Sequence, residues 1–155
     1  MLIRRAKNSD AEDILELLKQ VQNIHAEIRP DIFKHGATKY NKNQVLSIIK
    51  NSQTPIFVCE QNDRVVGYAF CIVENVLETE NIKAEKVLYL DDLCVDKTLR
   101  GVGIGKKLYE FVKESAKTLG CGKITLNVWE GNESAKSFYR NLGLTPLKTV
   151  MEQKI

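Results

Sequence analysis

Apolar residues recur at two different periods along the chain, and the change of period divides it. Ile14, Leu17, Leu18, Val21 and Ile24 repeat at three- and four-residue steps, the spacing that lays one apolar stripe along a helix. Just ahead of them, Ser9-Asp10-Ala11-Glu12 has the S-x-x-E form of a capping box, which satisfies the N–H groups left open at a helix start. Leu2 and Ile3 form a short strand before it. Chain from about Arg29 to Asn41, with Pro30 and Gly36, is expected to be irregular, and a short helix then carries Val45, Leu46, Ile48 and Ile49. From Pro55 the period shortens. Ile56 to Cys59 is a strand, Gln61-Asn62-Asp63-Arg64 is turn chemistry and Val65 to Val73 is a second strand, which together predict an antiparallel hairpin.

After a polar stretch with Glu78, Glu80, Lys83 and Glu85, the run Val87 to Val95 is apolar on both parities, as in a central strand covered on both faces. Asp91 and Asp92 in its middle are the anomaly. Ile104, Leu108, Phe111, Val112, Ser115, Ala116 and Leu119 then share one face of a helix that Gly120 ends, glycine readily taking the left-handed conformation beyond a helix C-terminus. Ile124 to Trp129 reads as a strand and Asn132 to Leu142 as a helix ended by Gly143. Thr145 to Ile155 alternates weakly and is expected to return as an edge strand. This order predicts an α/β layer fold with a mixed sheet.

Composition narrows the class. The length of 155 residues suits one domain, 1–155, and 43% hydrophobic with 28% charged residues and three prolines excludes disordered and fibrous classes. The N-terminus turns polar at once, without an apolar stretch long enough for a signal peptide or a membrane span, so a cytoplasmic protein without membrane partners is expected. Cys59, Cys71, Cys94 and Cys121 form no C-x-x-C pair, which gives a metal cluster or redox dithiol no support; they are expected to be reduced and the site to hold no metal. A net charge of +3, from 23 basic and 20 acidic residues, is too small and too evenly spread to suggest nucleic-acid binding. It suffices for one phosphorylated ligand.

The segment Val95 to Lys107 is suited to such a ligand. A strand ending at Val95, a glycine-rich turn and a helix starting near Gly103 aim main-chain N–H groups and the positive end of a helix at one point. Arg100, Lys106 and Lys107 add full charges, so a pyrophosphate fits better than a single carboxylate, and the glycines let phosphates approach the main chain. A P-loop is excluded because Arg100 stands five before Gly105 and Lys107 follows Lys106. A dinucleotide fingerprint is excluded because Lys106 and Leu108 stand three residues after Gly103 and Gly105.

Arg100-Gly101-Val102-Gly103-Ile104-Gly105 matches R/Q-x-x-G-x-G/A in full, and in this the chain resembles the GNAT superfamily of N-acetyltransferases. The resemblance extends back to Tyr89-Leu90-Asp91-Asp92-Leu93-Cys94-Val95. It extends forward to Asn132 to Gly143, similar to the family's N-x-x-A-x-x-F-Y-x-x-x-G segment, and covers most of the chain from Pro55 on. It implies a GNAT fold, a central mixed and mostly antiparallel sheet flanked by helices, with acetyl-CoA as cosubstrate. It implies that the strand before the glycine turn splays from the next strand and that the pantetheine arm lies in that gap, on the main chain of Leu93, Cys94 and Val95. The pyrophosphate then meets Arg100, Gly101, Val102, Gly103, Ile104, Gly105 and Lys106, with Asn132, Ser134 and Tyr139 near the pantetheine and sulfur. A homodimer is common in the resembling family.

Amine acetylation makes one demand above others. A lysine-like amine with a pKa of about 10.4 is neutral in roughly one molecule in 2,500 at pH 7, so removing its proton costs about 4.6 kcal/mol. Asp91 and Asp92 are the candidate bases, since carboxylates in a central strand are costly unless they pair or work. Alternation sets them on opposite faces unless a bulge intervenes, and Asp91 is favoured as the base. Equally open is that Asp91 only binds the acceptor's positive charge, and for Asp92 a structural hydrogen-bonding role. A main-chain N–H near Cys94 or Val95 is expected to hold the oxyanion. Tyr139 resembles the family's tyrosine that gives a proton to the leaving thiolate, while Phe138, Trp129 and Asn127 are expected to pack or hydrogen-bond. An acyl-Cys94 route is rejected for want of a neighbouring histidine. His25, Arg29, Pro30, Phe33, His35 and Tyr40 lie where the family covers the acceptor, and Glu74, Glu78, Glu80 and Glu85 hint at a cationic acceptor such as a polyamine or peptide. The activity expected is transfer of the acetyl group of acetyl-CoA to a primary amine of a small molecule or protein, by direct attack in a ternary complex. The alternative is a non-catalytic acetyl-CoA-binding module or regulator.

Overall fold

Strands that follow one another in sequence lie side by side. A computed structural model describes residues 1–155, with β1 (Leu2–Arg5), β2 (Ile56–Gln61), β3 (Arg64–Val76), β4 (Glu85–Val95) and β5 (Lys123–Thr125) in the sheet order β1-β2-β3-β4-β5. β1 to β4 pair antiparallel with one another in succession, and β5 is parallel to β4. A parallel neighbour needs a crossover, and α3 (Ile104–Thr118) supplies it. The β2–β3 hairpin turns on Asn62 and Asp63, with φ of 52° and 58°, the left-handed pair whose twist matches that of the flanking strands.

Each face of the sheet is covered by helices. On one side Ile14, Leu17 and Leu18 of α1 (Ala11–Ile28) and Val45 of α2 (Lys42–Lys50) bury against Ile56, Val58, Tyr68 and Phe70. On the other, Tyr109, Val112 and Ala116 of α3 bury against Phe57, Ala69, Cys71 and Leu90, with Tyr139 and Leu142, from and just beyond α4 (Glu133–Asn141), packed alongside. Gly120, at φ 73°, follows the last turn of α3, and the N–H of Cys121 returns to the carbonyl of Ala116 at 2.9 Å, as beyond a helix that ends in a left-handed residue. None of the helices is long and apolar enough to cross a membrane.

Three sequence expectations are corrected. The Ser9 capping box does not form: a 3-10 turn over Asn8–Asp10 leads into α1, whose N-cap residue, Asp10, turns its carboxylate back to accept the Lys7 N–H at 2.7 Å and the Arg4 guanidinium at 2.8 and 2.9 Å. The strand expected over Ile124 to Trp129 stops at Thr125. The edge strand expected over Thr145 to Ile155 does not form; Leu147, Val150, Met151 and Ile155 are exposed, and ion pairs of Glu152 with Arg29 (2.7 Å) and Lys154 with Asp31 (3.8 Å) hold this segment against the loop after α1. Weak alternation gave it no apolar face to bury against β5.

Candidate active site

An extra residue in β4 builds the acidic part of the site. Phe70 of β3 pairs with Asp92 and the next residue, Cys71, pairs with Leu90, so Asp91 has no partner across the ladder. Such a bulge reverses the side-chain phase on either side of it. Leu88 and Leu90 accordingly bury on the α3 side of the sheet, while Cys94 buries on the α1 side with Tyr68 and Phe70. Both aspartates therefore reach the α1 side, and the opposite-face expectation is overturned. The Tyr40 hydroxyl donates to Asp91 at 2.9 Å, Lys39 Nζ donates to each Asp91 oxygen at 2.8 Å, and the Tyr68 hydroxyl donates to Asp92 at 2.7 Å. Tyr40 stacks on Phe70, ring centroids 5.5 Å apart. The supporting residues Lys39 and Tyr68 carry little sign in the sequence; for Tyr68 it is a phenol within the otherwise apolar run Val65 to Val73.

Burial, and then the neighbouring Asp91 charge, push Asp92 up to about 6, against the opposing pull of the Tyr68 hydrogen bond and the Lys39 ammonium. The Tyr139 phenol is raised by burial first and then by the negative charge of Asp92, so it stays protonated through neutral pH. Tyr139 packs in the α3-side layer. The Cys94 thiol is pushed up to about 12 by burial and by Asp92, and donates to the Leu17 carbonyl at 3.6 Å. A thiol so held is no nucleophile.

Beside the aspartates the sheet opens. Pairing of β4 with β5 covers only Val87, Leu88 and Tyr89, leaving Asp91 to Val95 without a neighbour on that edge. The Asp96 N–H points to β3, where it donates to Val66 at 2.9 Å; by strand alternation the main-chain groups of Leu93 and Val95 face the open edge. There the Val95 carbonyl accepts Arg100 Nε at 3.0 Å, so Arg100 pins the turn.

Within the turn, Gly101 and Gly103 have φ of 82° and 87°, and a Cβ at either would meet no atom within 4 Å. Gly103 caps α3, Val102, Lys106 and Lys107 are exposed, and Ile104, at 4% exposure, anchors the turn in the core. The shape suits a polyphosphate laid on main chain. Gly105 has another use: a Cβ there would meet the Phe138 ring at 3.2 Å, so its absence lets α4 close on the first turn of α3. Phe138 is thus packing, as expected. Asn132 accepts the Ala135 N–H at 3.2 Å and caps α4, with Ser134 exposed one residue before.

At the C-terminal end of α1 and in the loop after it, the His25 and Phe33 rings lie 5.0 Å apart and Phe33 meets Trp129 edge-on at 5.1 Å. Asn127 donates to the Tyr89 hydroxyl at 3.1 Å. The Phe33–Trp129 contact ties the loop after α1 to the chain leaving β5, and the Asn127 bond ties that chain to β4. Burial and the Lys39 charge lower the pKa of His25, while His35 is exposed. Of Glu74, Glu78, Glu80 and Glu85, Glu85 is placed far from the aspartates. Glu85 opens β4, about 20 Å of strand from Asp91 at the usual rise per residue, and pairs with Lys123 at 2.6 Å.

Residues 18–144 match the model of the Acetyltransferase (GNAT) family. The thialysine N-epsilon-acetyltransferase of Bos taurus is 30% identical, over 95% of this chain and 85% of its own length. An uncharacterized N-acetyltransferase of Methanocaldococcus jannaschii, MJ1207, is 28% identical over 96% of this chain, which spans 62% of that relative. A solved structure of a tetramutant of the BH1408 protein of Bacillus halodurans superposes with a TM-score of 0.95 at 29% identity, covering 100% of both chains. An aminoglycoside N-acetyltransferase in complex with CoA shares the fold, with a TM-score of 0.73 at 16% identity over 99% of this chain and 98% of that one.

Proposed function

This chain belongs to the acetyltransferase (GNAT) family and is an acyltransferase, and from that premise we propose that it transfers the acetyl group of acetyl-CoA to a primary amine by direct attack. The observation that carries this reading is the bulge at Asp91, which sets two carboxyls on one face at the place where β4 loses its neighbour β5. In this reading the free edge of Leu93 and Val95 receives the pantetheine arm, and the Gly101–Lys106 turn the pyrophosphate. The CoA complex of a protein sharing the fold supports that choice of cosubstrate.

The two aspartates divide the work. Asp91, already ringed by cation and hydroxyl donors, binds the acceptor as its ammonium. Asp92, with a pKa near 6, is the base: it is ionised at neutral pH yet sits closer to the amine's pKa than an ordinary carboxylate, which favours proton transfer. A main-chain N–H on the open edge of β4 steadies the oxyanion, and the protonated Tyr139 donates to the departing sulfur. The bovine relative's name places its acetyl group on an ε-nitrogen, the end of a flexible aliphatic arm, and the Asp91 cradle suits that class of amine.

The test is thiol release from acetyl-CoA over a panel of aliphatic amines, amino acids and peptides, with acetyl-CoA binding followed in parallel by thermal shift. Primary aliphatic amines are expected to be acetylated. Clear stabilisation by acetyl-CoA with no acetylated amine anywhere in the panel would defeat the reading.

A further inference from the structure

The Asp91 carboxylate already holds a primary ammonium. Lys39 Nζ stands 2.8 Å from each of its oxygens, and the Tyr40 hydroxyl bonds the Oδ2 atom at 2.9 Å. We propose that Lys39 is a site of self-acetylation: its ε-amine stands where the acceptor amine binds and takes the acetyl group in cis. This rests on the acetyl-transfer reading above.

Three features set this pair apart from the chain's other lysine–carboxylate pairs, whose carboxylates are all 36% exposed or more. Pairs such as Lys19–Glu16 and Lys117–Glu114 join neighbours on one helix turn with both partners exposed, whereas Lys39 reaches 52 residues along the chain to a carboxylate only 11% exposed. That carboxylate belongs to the bulge residue at the open edge of β4. Lys39 itself is 43% exposed and sits in a segment with neither helix nor strand, tied down by Gln22 on the Lys34 carbonyl (2.9 Å) and Asn23 on the Gly36 N–H (3.0 Å). Its side chain can therefore move without unfolding anything.

The step balances. The Lys39 nitrogen attacks the thioester carbonyl carbon, a C–N bond forms and the C–S bond breaks, with its electron pair leaving on sulfur. Two protons leave the nitrogen, one through the carboxylate pair to solvent and one to the departing sulfur. The products are an amide, the CoA thiol and a proton. The neutral amide no longer pairs with Asp91, which frees that carboxylate for an external amine.

The full chain is incubated with acetyl-CoA alone and its peptides are mapped by mass spectrometry, while the same preparation is assayed for acetyl-CoA stabilisation and for acetylation of added 1,3-diaminopropane. Lys39 is expected to be acetylated about tenfold or more ahead of any other lysine, as proximity dictates, at a rate per molecule unchanged by dilution. Lys39→Arg abolishes that product, and Lys39→Met lowers the KM for the added amine by removing the internal occupant. If the added amine is acetylated while label spreads over exposed lysines, or appears at Lys39 at a rate that falls on dilution, this inference alone is overturned. If acetyl-CoA neither stabilises the chain nor releases thiol, the acetyl-transfer reading falls and takes this one with it.

Discussion

The two ends of the site are built from different materials. The glycine turn is main chain: Gly101 and Gly103 at positive φ, free N–H groups at the start of α3, and no side-chain atom within 4 Å of where a Cβ would stand. The acidic end is side chain: Asp91 and Asp92 held by Lys39, Tyr40 and Tyr68, from separate stretches of chain. The turn offers a fixed dipole at the surface, which tolerates changes of side chain and fails when the backbone changes. The acid pair works through burial and neighbouring charges, so single side-chain atoms decide it.

The largest effect should come from the acidic end. Asp92→Asn is expected to lower kcat/KM about a thousandfold, the scale of a lost general base, and to erase the acidic limb near pH 6. Stability should move the other way. Below the unfolded-state pKa of about 4 the carboxyl is protonated in both states and costs nothing; above its folded pKa of about 6 it is charged in both, and the folded state carries a cost on the order of 3 kcal/mol. The variant should therefore melt higher than the wild type at neutral pH and alike near pH 4. Loss of activity together with stability at neutral pH would mean that Asp92 is a structural strut.

Gly103→Asp tests the other end. With φ at 87° and open space beyond, the substitution costs the fold only about 1–2 kcal/mol of left-handed strain but sets a carboxylate against the phosphates. Acetyl-CoA affinity, read by calorimetry, is expected to fall about a hundredfold, since an anion site at a helix start cannot accept a second anion. An unchanged affinity would move the cofactor away from the turn and remove the main-chain half of the comparison.

The same division explains what was legible in the chain. The glycine turn, α3 and the hairpin are local: Arg100 to Gly105 are contiguous, and the helix period and the Asn62-Asp63 turn lie within a few residues of each other. The aspartates were visible as an anomaly, but their shared face was not, because a bulge shows only in the partner strand's register, here the step from Phe70 to Cys71. Tyr40, 51 residues from Asp91, carried no signal beyond being an aromatic residue in an irregular segment. Gly105 looked like the other glycines of the motif, yet its lack of a side chain serves Phe138, 33 positions on; only packing tells that from phosphate contact. The weak alternation of Thr145 to Ile155 marks no strand face, since Leu147, Val150 and Met151 find nothing to cover.

The smallest effect is the most discriminating. Tyr68 is fully buried, its ring packs edge-on against Phe70, and its hydroxyl bonds Asp92 at 2.7 Å. Tyr68→Phe keeps the ring and removes that one donor, which holds the Asp92 pKa down. Without it the charged form loses a partner, the pKa rises above about 6, and the acidic limb of kcat/KM moves to higher pH. At pH 7 activity should drop by less than about tenfold, in keeping with a single hydrogen bond to a charge, and recover at higher pH as Asp92 ionises again. Rescue by alkali is what a base tuned by its donor gives, and a packing defect does not. A lowered plateau with the limb unmoved would place proton removal elsewhere and leave Tyr68 and Asp92 as a structural pair.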